Sequence, residues 1–498
     1  MGEKKDLVEQ RAHNLKQIQE LGYESYPHQY PTTHTIAELV EKYSDVSAET
    51  LDEVPISTQT AGRIVNLRGH GKAGFADFLG AGARIQVYVR EDRVGKKNHE
   101  LFHLLDIGDI VGVKGSMFRT RTGELSISAE QVSFLAKALL PLPEKWHGLS
   151  DVEARYRQRY LDLISNQDVM SIFVRRRQII SEVRSFLESR GYLEVETPMM
   201  QPMAGGAAAQ PFETFHEALG IPLFLRIAPE LYLKRLIVGG VDRVFEINRN
   251  FRNEGISTLH NPEFTMVEFY QAYSNFEDLM NITEEMLQQI VGEVCGDLEI
   301  AFDGRPINFK KFTRLSMVES IRQYWDEGDP PREDDLCDLD QVSSLCERLG
   351  IKYREIESWG KRLNRLFEYV VEKHLVNPTF IYDFPAEVSP LAKRKVGDSR
   401  FAERFELFIG GLEIANAYSE LNDPKEQKKC FEQQAEAHSR GDHEAHQMDE
   451  EYLQALQYGM PPAAGEGIGI DRLTMLLTDS KSIREVILFP HLRPRSTK

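Results

Sequence analysis

The sequence predicts an α+β protein: a small closed β-barrel near the N-terminus, then a larger domain of antiparallel sheet flanked by helices. Three observations carry this. The chain has 498 residues, more than one hydrophobic core serves at roughly 100–200 residues per domain. Between 60 and 135 it breaks into five short strand-like runs separated by Gly-rich turns. From 150 onward strand and helix patterns mix without a regular βαβ rhythm, which disfavours a parallel sheet.

Residues 3–21 read as an amphipathic helix with Leu7, Ala12, Leu15, Ile18 and Leu21 on one face, and a second short helix is expected near 36–43. This 1–60 extension has too little apolar content for its own core and is expected to pack on the neighbouring domain. That second domain, 61–145, holds the runs TAGRIVNLRG, GFADFLG, RIQVYVR, DIVGVKGSMFRT and LSISAEQVSFL. Ile85, Val87 and Val89 alternate with polar residues, and Gly123–Glu124 marks a hairpin turn. Five short strands in about 80 residues suggest an OB-fold, with an SH3-like barrel as the alternative. Pro141 and Pro143 punctuate the boundary to the third domain, 150–498. Within it, the acidic stretch 326–340 and the charge-dense stretch 423–457 read as solvated elements.

Composition narrows the function classes. Apolar residues make up 41% and charged residues 28%, ordinary for a globular protein and too rich for disorder. No stretch approaches the 18 apolar residues of a membrane span, and the charged N-terminal segment lacks a secretory h-region. Four scattered cysteines fit reduced cytosolic thiols better than a disulfide frame or zinc cluster. The net charge is −18, yet residues 61–145 hold 13 Lys/Arg against 9 Asp/Glu. On charge alone, only that segment suits a phosphate-tracking surface.

Residues 243–273 carry the most chemistry. Strand periodicity puts Glu246, Asn248, Asn250, Arg252 and Glu254 on one face, and Phe264, Met266, Glu268 and Tyr270 on one face of the returning strand. One surface can thus present an anion clamp, an aromatic platform and a carboxylate–phenol pair; the alternative is a plain solvent face. A second hairpin, 403–420, turns at Gly410–Gly411. Pairing across it sets Phe408 against Glu413 and Glu406 near Ala415, with both glutamates on one face. Two such carboxylates suit Mg²⁺ or, alternatively, an exposed acidic edge. Asn416, Tyr418 and Glu420 have the opposite parity to Glu413, so they share its pocket only if a β-bulge lies between 413 and 416. In a third element, AGEGIGIDRLTMLLTD, the glycines read GxGxG rather than the dinucleotide GxGxxG, and Arg472 stands in the first turn of a helix.

These elements resemble motifs 2 and 3 of the class II aminoacyl-tRNA synthetases, FRNE with its loop through Phe264 and GIGIDR. The helix 171–190 (Ile172, Ile179, Val183, Phe186, Leu187), running past Gly191 into YLEVETPMM, resembles motif 1. The chain as a whole is similar to the bacterial-type lysyl group. The resemblance implies an OB-fold anticodon-binding domain before a class II synthetase catalytic domain built on a six-stranded antiparallel sheet. It also implies a homodimer formed through motif 1, a cytoplasmic location, and ATP-dependent ligation of L-lysine to tRNA(Lys) through a lysyl-adenylate.

By the same resemblance, Arg252 and Arg472 are catalytic. ATP is held by Arg252, Glu254, His260, Phe264, Glu406, Glu413 and Arg472, with Mg²⁺ on Glu406 and Glu413. Lysine is held by Gly206, Glu230, Arg252, Glu268, Tyr270, Asn416, Tyr418 and Glu420, and the anticodon by Arg68, Phe75, Gln86 and Glu124. Acceptors around a desolvated ammonium are also what lysine recognition requires physically. An aspartate-specific relative would place Arg or Lys there instead. Phe75 has a second reading as a core residue. Two positions depart from the family pattern: Gln210 stands where Arg precedes Pro-Phe, so the loop 204–216 is expected to be held differently, and Glu466 stands where a small or apolar residue is usual. Rival readings are a non-catalytic RNA-binding protein, which would not need the arginines and paired glutamates, and an enzyme that lysylates protein, which would not need the barrel.

Overall fold

The computed structural model describes residues 2–143, 149–166, 168–203, 205–207, 209–439 and 448–494. The chain forms two units, 1–170 and 171–498. In the first, β1 (Ser57–His70), β2 (Ala73–Gly80), β3 (Ala83–Arg90), β4 (Ile110–Arg119) and β5 (Leu125–Ala136) close a barrel in the order β1-β2-β3-β5-β4. Period two drives the closure: Ile85, Val87 and Val89 are buried while Arg84, Gln86 and Tyr88 turn outward. A helix, Glu91–Leu104, connects β3 to β4, and β3 pairs with β5 in parallel. This is the OB topology rather than the SH3-like alternative.

The N-terminal helices share the barrel's core, since Ile18, Ile36, Leu39 and Leu51 are buried with Val87, Val113 and Ile127. The apolar stripe of the first helix is shorter than its periodicity suggests. Leu7 and Ala12 are exposed, whereas Arg11 is turned inward, where Nη1 donates to the Ala138 carbonyl at 2.6 Å. A long cation that covers apolar surface with its stem and bonds with its tip competes successfully for a packed position.

The second unit contains β6 (Leu193–Glu194), β7 (Met200–Gln201), β8 (Glu213–His216), β9 (Ile221–Leu225), β10 (Arg243–Phe251), β11 (Glu263–Ala272), β12 (Glu299–Phe302), β13 (Arg305–Asn308), β14 (Thr313–Ser316), β15 (Thr379–Pro385), β16 (Phe401–Ile409), β17 (Leu412–Ser419) and β18 (Ala463–Gly469). Its main sheet has eight strands in the order β14-β15-β16-β17-β18-β11-β10-β6. The six central strands are antiparallel, as expected, and a short parallel strand is added at each edge.

One face of the sheet is apolar. Phe245, Val267, Phe269, Phe405, Leu407, Ala417 and Ile468 pack with residues of the helices Asp168–Ser189, Phe276–Cys295 and Ile470–Leu477. The opposite face carries the polar residues of the two hairpins. Both charge-dense segments are more anchored than their charge suggests. In 326–340 a short helix, Glu333–Leu336, buries Leu336, whose carbonyl accepts from the Trp359 indole at 3.0 Å. In 423–457 Phe431, Tyr452, Leu453 and Leu456 join a buried cluster; residues 440–447 lie outside the described residues. Among the described residues, no helix is long and apolar enough to cross a membrane.

Candidate active site

The face opposite the core is assembled from two hairpins and β18. In the first hairpin, Glu246 pairs with Glu268, Asn248 with Met266 and Asn250 with Phe264, so these side chains share one face, as their period predicts. Glu246 itself is spoken for: Arg226 Nη1 lies 2.6 Å from one carboxylate oxygen, and the Thr197 hydroxyl donates to the other at 2.7 Å.

In the second hairpin, Gly410 and Gly411 adopt φ of +66° and +79°, the positive values that a two-residue type I′ turn requires. Phe408 faces Glu413 as expected, but the register then shifts, so Leu407 faces Ala415 and Glu406 faces Asn416. Ile414 is the extra residue of the anticipated β-bulge. Glu406 therefore opposes Asn416 rather than lying near Ala415. The bulge restores Asn416 and Tyr418 to the face of Glu406 and Glu413.

Two cavities open on this surface. The larger, about 770 Å³, is lined by Gly206, Glu230, Arg252, Glu268, Tyr270, Asn416 and Tyr418 among others. The smaller, about 180 Å³, is lined by Arg252, Glu254, His260, Phe264, Glu413 and Arg472 among others. Arg252, Met266, Asn416 and Gly467 belong to both, so the two spaces adjoin at these residues.

The smaller cavity sets two arginines and an aromatic ring among acidic side chains. The Arg252 guanidinium lies 5.0 Å from the Phe264 ring centre. Arg472 Nη1 donates to the Glu413 carbonyl at 2.8 Å and to its carboxylate at 3.0 Å, and Nη2 lies 3.4 Å from His260 Nε2. Burial and the neighbouring Arg472 hold the His260 imidazole below its ordinary pKa, which favours the neutral ring. Asp471 fixes the Arg472 helix against β11: it accepts from the Thr265 backbone N–H at 2.7 Å and pairs with Arg176 at 2.5 Å.

The larger cavity has acidic and basic side chains in its lining, and Glu230 and Glu268 are its buried acids beside Tyr270 and Tyr418. Glu268 is buried, and desolvation followed by the charge of Glu230 pushes its carboxyl up to about 8. The Tyr270 hydroxyl donates to Glu268 at 3.4 Å, and the Tyr418 hydroxyl donates to Glu230 Oε1 at 2.5 Å. Glu420 lies beneath the cavity floor rather than along its wall. A Cβ added at Gly465 would sit 2.1 Å from a Tyr270 ring carbon and 2.5 Å from Glu420 Oε1. Gly465 is thus what lets these two side chains approach the strand. Burial drives the Glu420 carboxyl upward, and the adjacent Lys234 opposes that shift.

Sequence reasoning missed Lys234 and Arg404. The Lys234 ammonium, fully buried, pairs with both Glu230 and Glu420. Arg404 bonds Asn416 Oδ1 at 3.0 Å and Glu406 Oε1 at 2.5 Å. Parity on β16 places Arg404 beside Glu406, and that signal could have found it. Lys234 looks like an ordinary helical lysine in IAPELYLKRL.

Glu406 lines neither cavity directly. It is largely buried beside Arg404, and burial, reinforced by Glu413 and Glu372, pushes its carboxyl to about 8. A buried carboxyl beside other acids suits a hard dication. Among the described residues no group of three or more His, Cys, Asp or Glu side chains could hold a metal, but Mg²⁺ commonly uses one or two carboxylates plus substrate phosphates.

The two departures have distinct outcomes. The Gln210 carbonyl accepts from the Asn253 N–H of motif 2 at 2.8 Å, so the loop is tied through backbone; residues 204 and 208 lie outside the described residues. Glu466 points into the core, where the Thr283 hydroxyl lies 2.7 and 2.6 Å from its two carboxyl oxygens.

On the barrel, Arg68 pairs with Phe75 and Phe75 with Tyr88 across β1, β2 and β3. Phe75 is half-buried on the outer face, with Ala76 and Phe78 turned inward, so it is not a core residue. Its ring stacks on Tyr88 with centres 4.5 Å apart. Gln86 stands on the same face and accepts from the Ser126 hydroxyl at 3.0 Å, while Glu124 is exposed in the adjoining turn.

Comparison with known proteins agrees with this anatomy. Residues 151–493 match the family model "tRNA synthetases class II (D, K and N)", and residues 59–135 match an "OB-fold nucleic acid binding domain". A lysine–tRNA ligase of Carboxydothermus hydrogenoformans is 50% identical over 491 residues, covering 98% of each chain. That of Syntrophomonas wolfei is 50% identical over 496 residues, 99% of this chain and 98% of the relative. One from Staphylococcus aureus is 48% identical over 496 residues, 99% of each. The chain belongs to the class II tRNA synthetases.

Proposed function

We propose that this protein joins L-lysine to tRNA(Lys) at the expense of ATP, with lysine in the larger cavity and the nucleotide in the smaller. The observation that carries the assignment of sites is their junction. Arg252 reaches both, where an amino-acid carboxylate would meet an α-phosphate, and the carboxylates of Glu230 and Glu268 lie on the amino-acid side.

The chemistry needs no general base. The lysine carboxylate is already anionic; it attacks the α-phosphorus in line, forms the lysyl-adenylate and expels pyrophosphate. Positioning and charge stabilisation by Arg252 and Arg472 supply the catalysis. A terminal ribose hydroxyl of tRNA then attacks the adenylate carbonyl and releases AMP. In the smaller cavity Glu254 would contact the adenine, Phe264 and Arg472 would flank its ring, and His260 would meet phosphate. Glu406 and Glu413 would hold Mg²⁺, which when bound neutralises phosphate charge. In the larger cavity Gly206 and Glu230 would take the α-ammonium, Asn416 would assist at the carboxylate, and Glu268, Tyr270, Tyr418 and Glu420 would form the side-chain end.

Arg68, Phe75, Gln86 and Glu124 form the proposed anticodon surface, in the stacking mode OB-folds use for single strands. Exposed Val174, Leu193, Met199 and Met200 around the helix Asp168–Ser189 support a homodimer through that segment, and the activity implies a cytoplasmic location. Glu268→Gln tests the pocket assignment in pyrophosphate exchange. The KM for lysine is expected to rise at least tenfold, with the KM for ATP changing less than threefold. Equal changes in both would reject the assignment.

A further inference from the structure

Lys234 lies on the helix Glu230–Val238 and is fully buried. Its Nζ is 2.5 Å from Glu230 Oε1, in ion-pair contact with Glu420 Oε2, and 5.2 Å from the Tyr418 ring centre. The Tyr418 hydroxyl donates to the same Glu230 Oε1. One oxygen of each acid is thereby occupied. Glu420 Oε1 is buried without a hydrogen-bond partner and lies against Gly465 and Tyr270, which line the larger cavity.

We infer that Lys234 is a specificity-setting positioning residue: a built-in ammonium that joins Glu230 to Glu420 and sets the charge at that end of the amino-acid cavity. The inference rests on the reading of that cavity as the lysine pocket. Around the Lys234 ammonium, Glu230, Glu268 and Glu420 carry three negative charges when ionised, and Arg252 and Lys234 carry two positive ones, so this end of the cavity has one negative charge in excess; the nearby Arg404 is paired with Glu406. Lysine, with two ammonium groups and one carboxylate, brings one positive charge, and this end of the filled cavity is neutral. An uncompensated buried charge is costly in either direction. Without Lys234 the excess would be two, and the cavity would favour a ligand with two net positive charges. Lys234 acts through the two glutamates and need not touch the substrate.

The test compares L-lysine, as substrate in pyrophosphate exchange, with L-lysinamide, a non-activatable dication, as inhibitor. Loss of the carboxylate contact affects lysinamide equally in every variant, so the ratio of its Ki to the lysine KM reports cavity charge. In Lys234→Met the ratio is expected to fall at least tenfold, with the ATP KM within threefold of the parent. In Glu420→Gln it is expected to rise, and in the double variant Lys234→Met/Glu420→Gln to return to within threefold of the parent. A purely structural lysine would weaken both ligands in parallel, and an unchanged ratio in Lys234→Met overturns the inference. Should that variant not fold, Glu420→Gln and the double variant decide, and equal ratios in those two overturn it. Glu268→Gln separates the two levels. If it raises the lysine KM while the ratios stay flat, only the role of Lys234 fails; if it leaves the lysine KM unchanged, the pocket reading fails and this inference with it.

Discussion

Glu466 shows how a single residue can depart from a pattern and still be accommodated. Burial holds its carboxyl well above the ordinary value, with Thr283 opposing the shift. A carboxyl whose pKa is raised on folding contributes stability below its unfolded value and loses it as pH rises. Relative to Glu466→Gln, the wild-type protein is therefore expected to lose stability as pH rises above the ordinary glutamate value of about 4.3, by up to about 1.4 kcal/mol per pH unit. Parallel pH profiles would contradict this. Glu268 has the opposite functional consequence. Its carboxyl is near 8, and in the proposed lysine pocket it must ionise to receive an ammonium. The kcat/KM for lysine is expected to drop toward acid from about pH 8, by up to tenfold per unit, and the drop should flatten in Glu268→Gln. At this scale the sequence shows residue type and parity but not company. Glu268 and Tyr270 share a face by period two, whereas Lys234 gains its meaning only because β17 leads Glu420 to it from 186 positions away.

Elements decide which side chains can meet. The bulge at Ile414 keeps Glu413, Asn416 and Tyr418 on one surface, because a one-residue slip reverses every side chain beyond it. Deleting Ile414 should turn Asn416 and Tyr418 toward the core and cut lysine-dependent exchange by more than a hundredfold; retained exchange would show the bulge to be dispensable. Gly465→Ala inserts a Cβ into the Tyr270 ring edge and the Glu420 carboxylate. Overpacking of this kind costs about 1–3 kcal/mol, so a lower melting temperature and a higher lysine KM should appear together. The bulge was legible as a contradiction between parity and a shared pocket, and the turn glycines marked the hairpin. The short parallel strands β6 and β14 were not legible, because strands of two and four residues leave almost no periodic signal. Leu7 misled for a related reason: a helical stripe says which residues could be buried, not how far the partner surface extends.

Across the whole molecule the charge is divided by task. The chain carries −18 overall, while residues 61–145 are net positive, and an aromatic pair, Phe75 on Tyr88, lies on the outer face of the barrel. Stacking of a base on such a platform is worth about 1–3 kcal/mol. Phe75→Ala should therefore raise the tRNA KM in lysine charging by roughly ten- to a hundredfold, and leave pyrophosphate exchange, which needs no tRNA, unchanged. In the proposed reading, the two-cavity site ties amino-acid identity to three acidic side chains and one buried lysine. The most direct measurement is ATP–pyrophosphate exchange by the wild-type protein with lysine, aspartate and asparagine supplied in turn. Exchange with lysine alone is the expected result; exchange with aspartate in its place would contradict the assignment of the larger cavity.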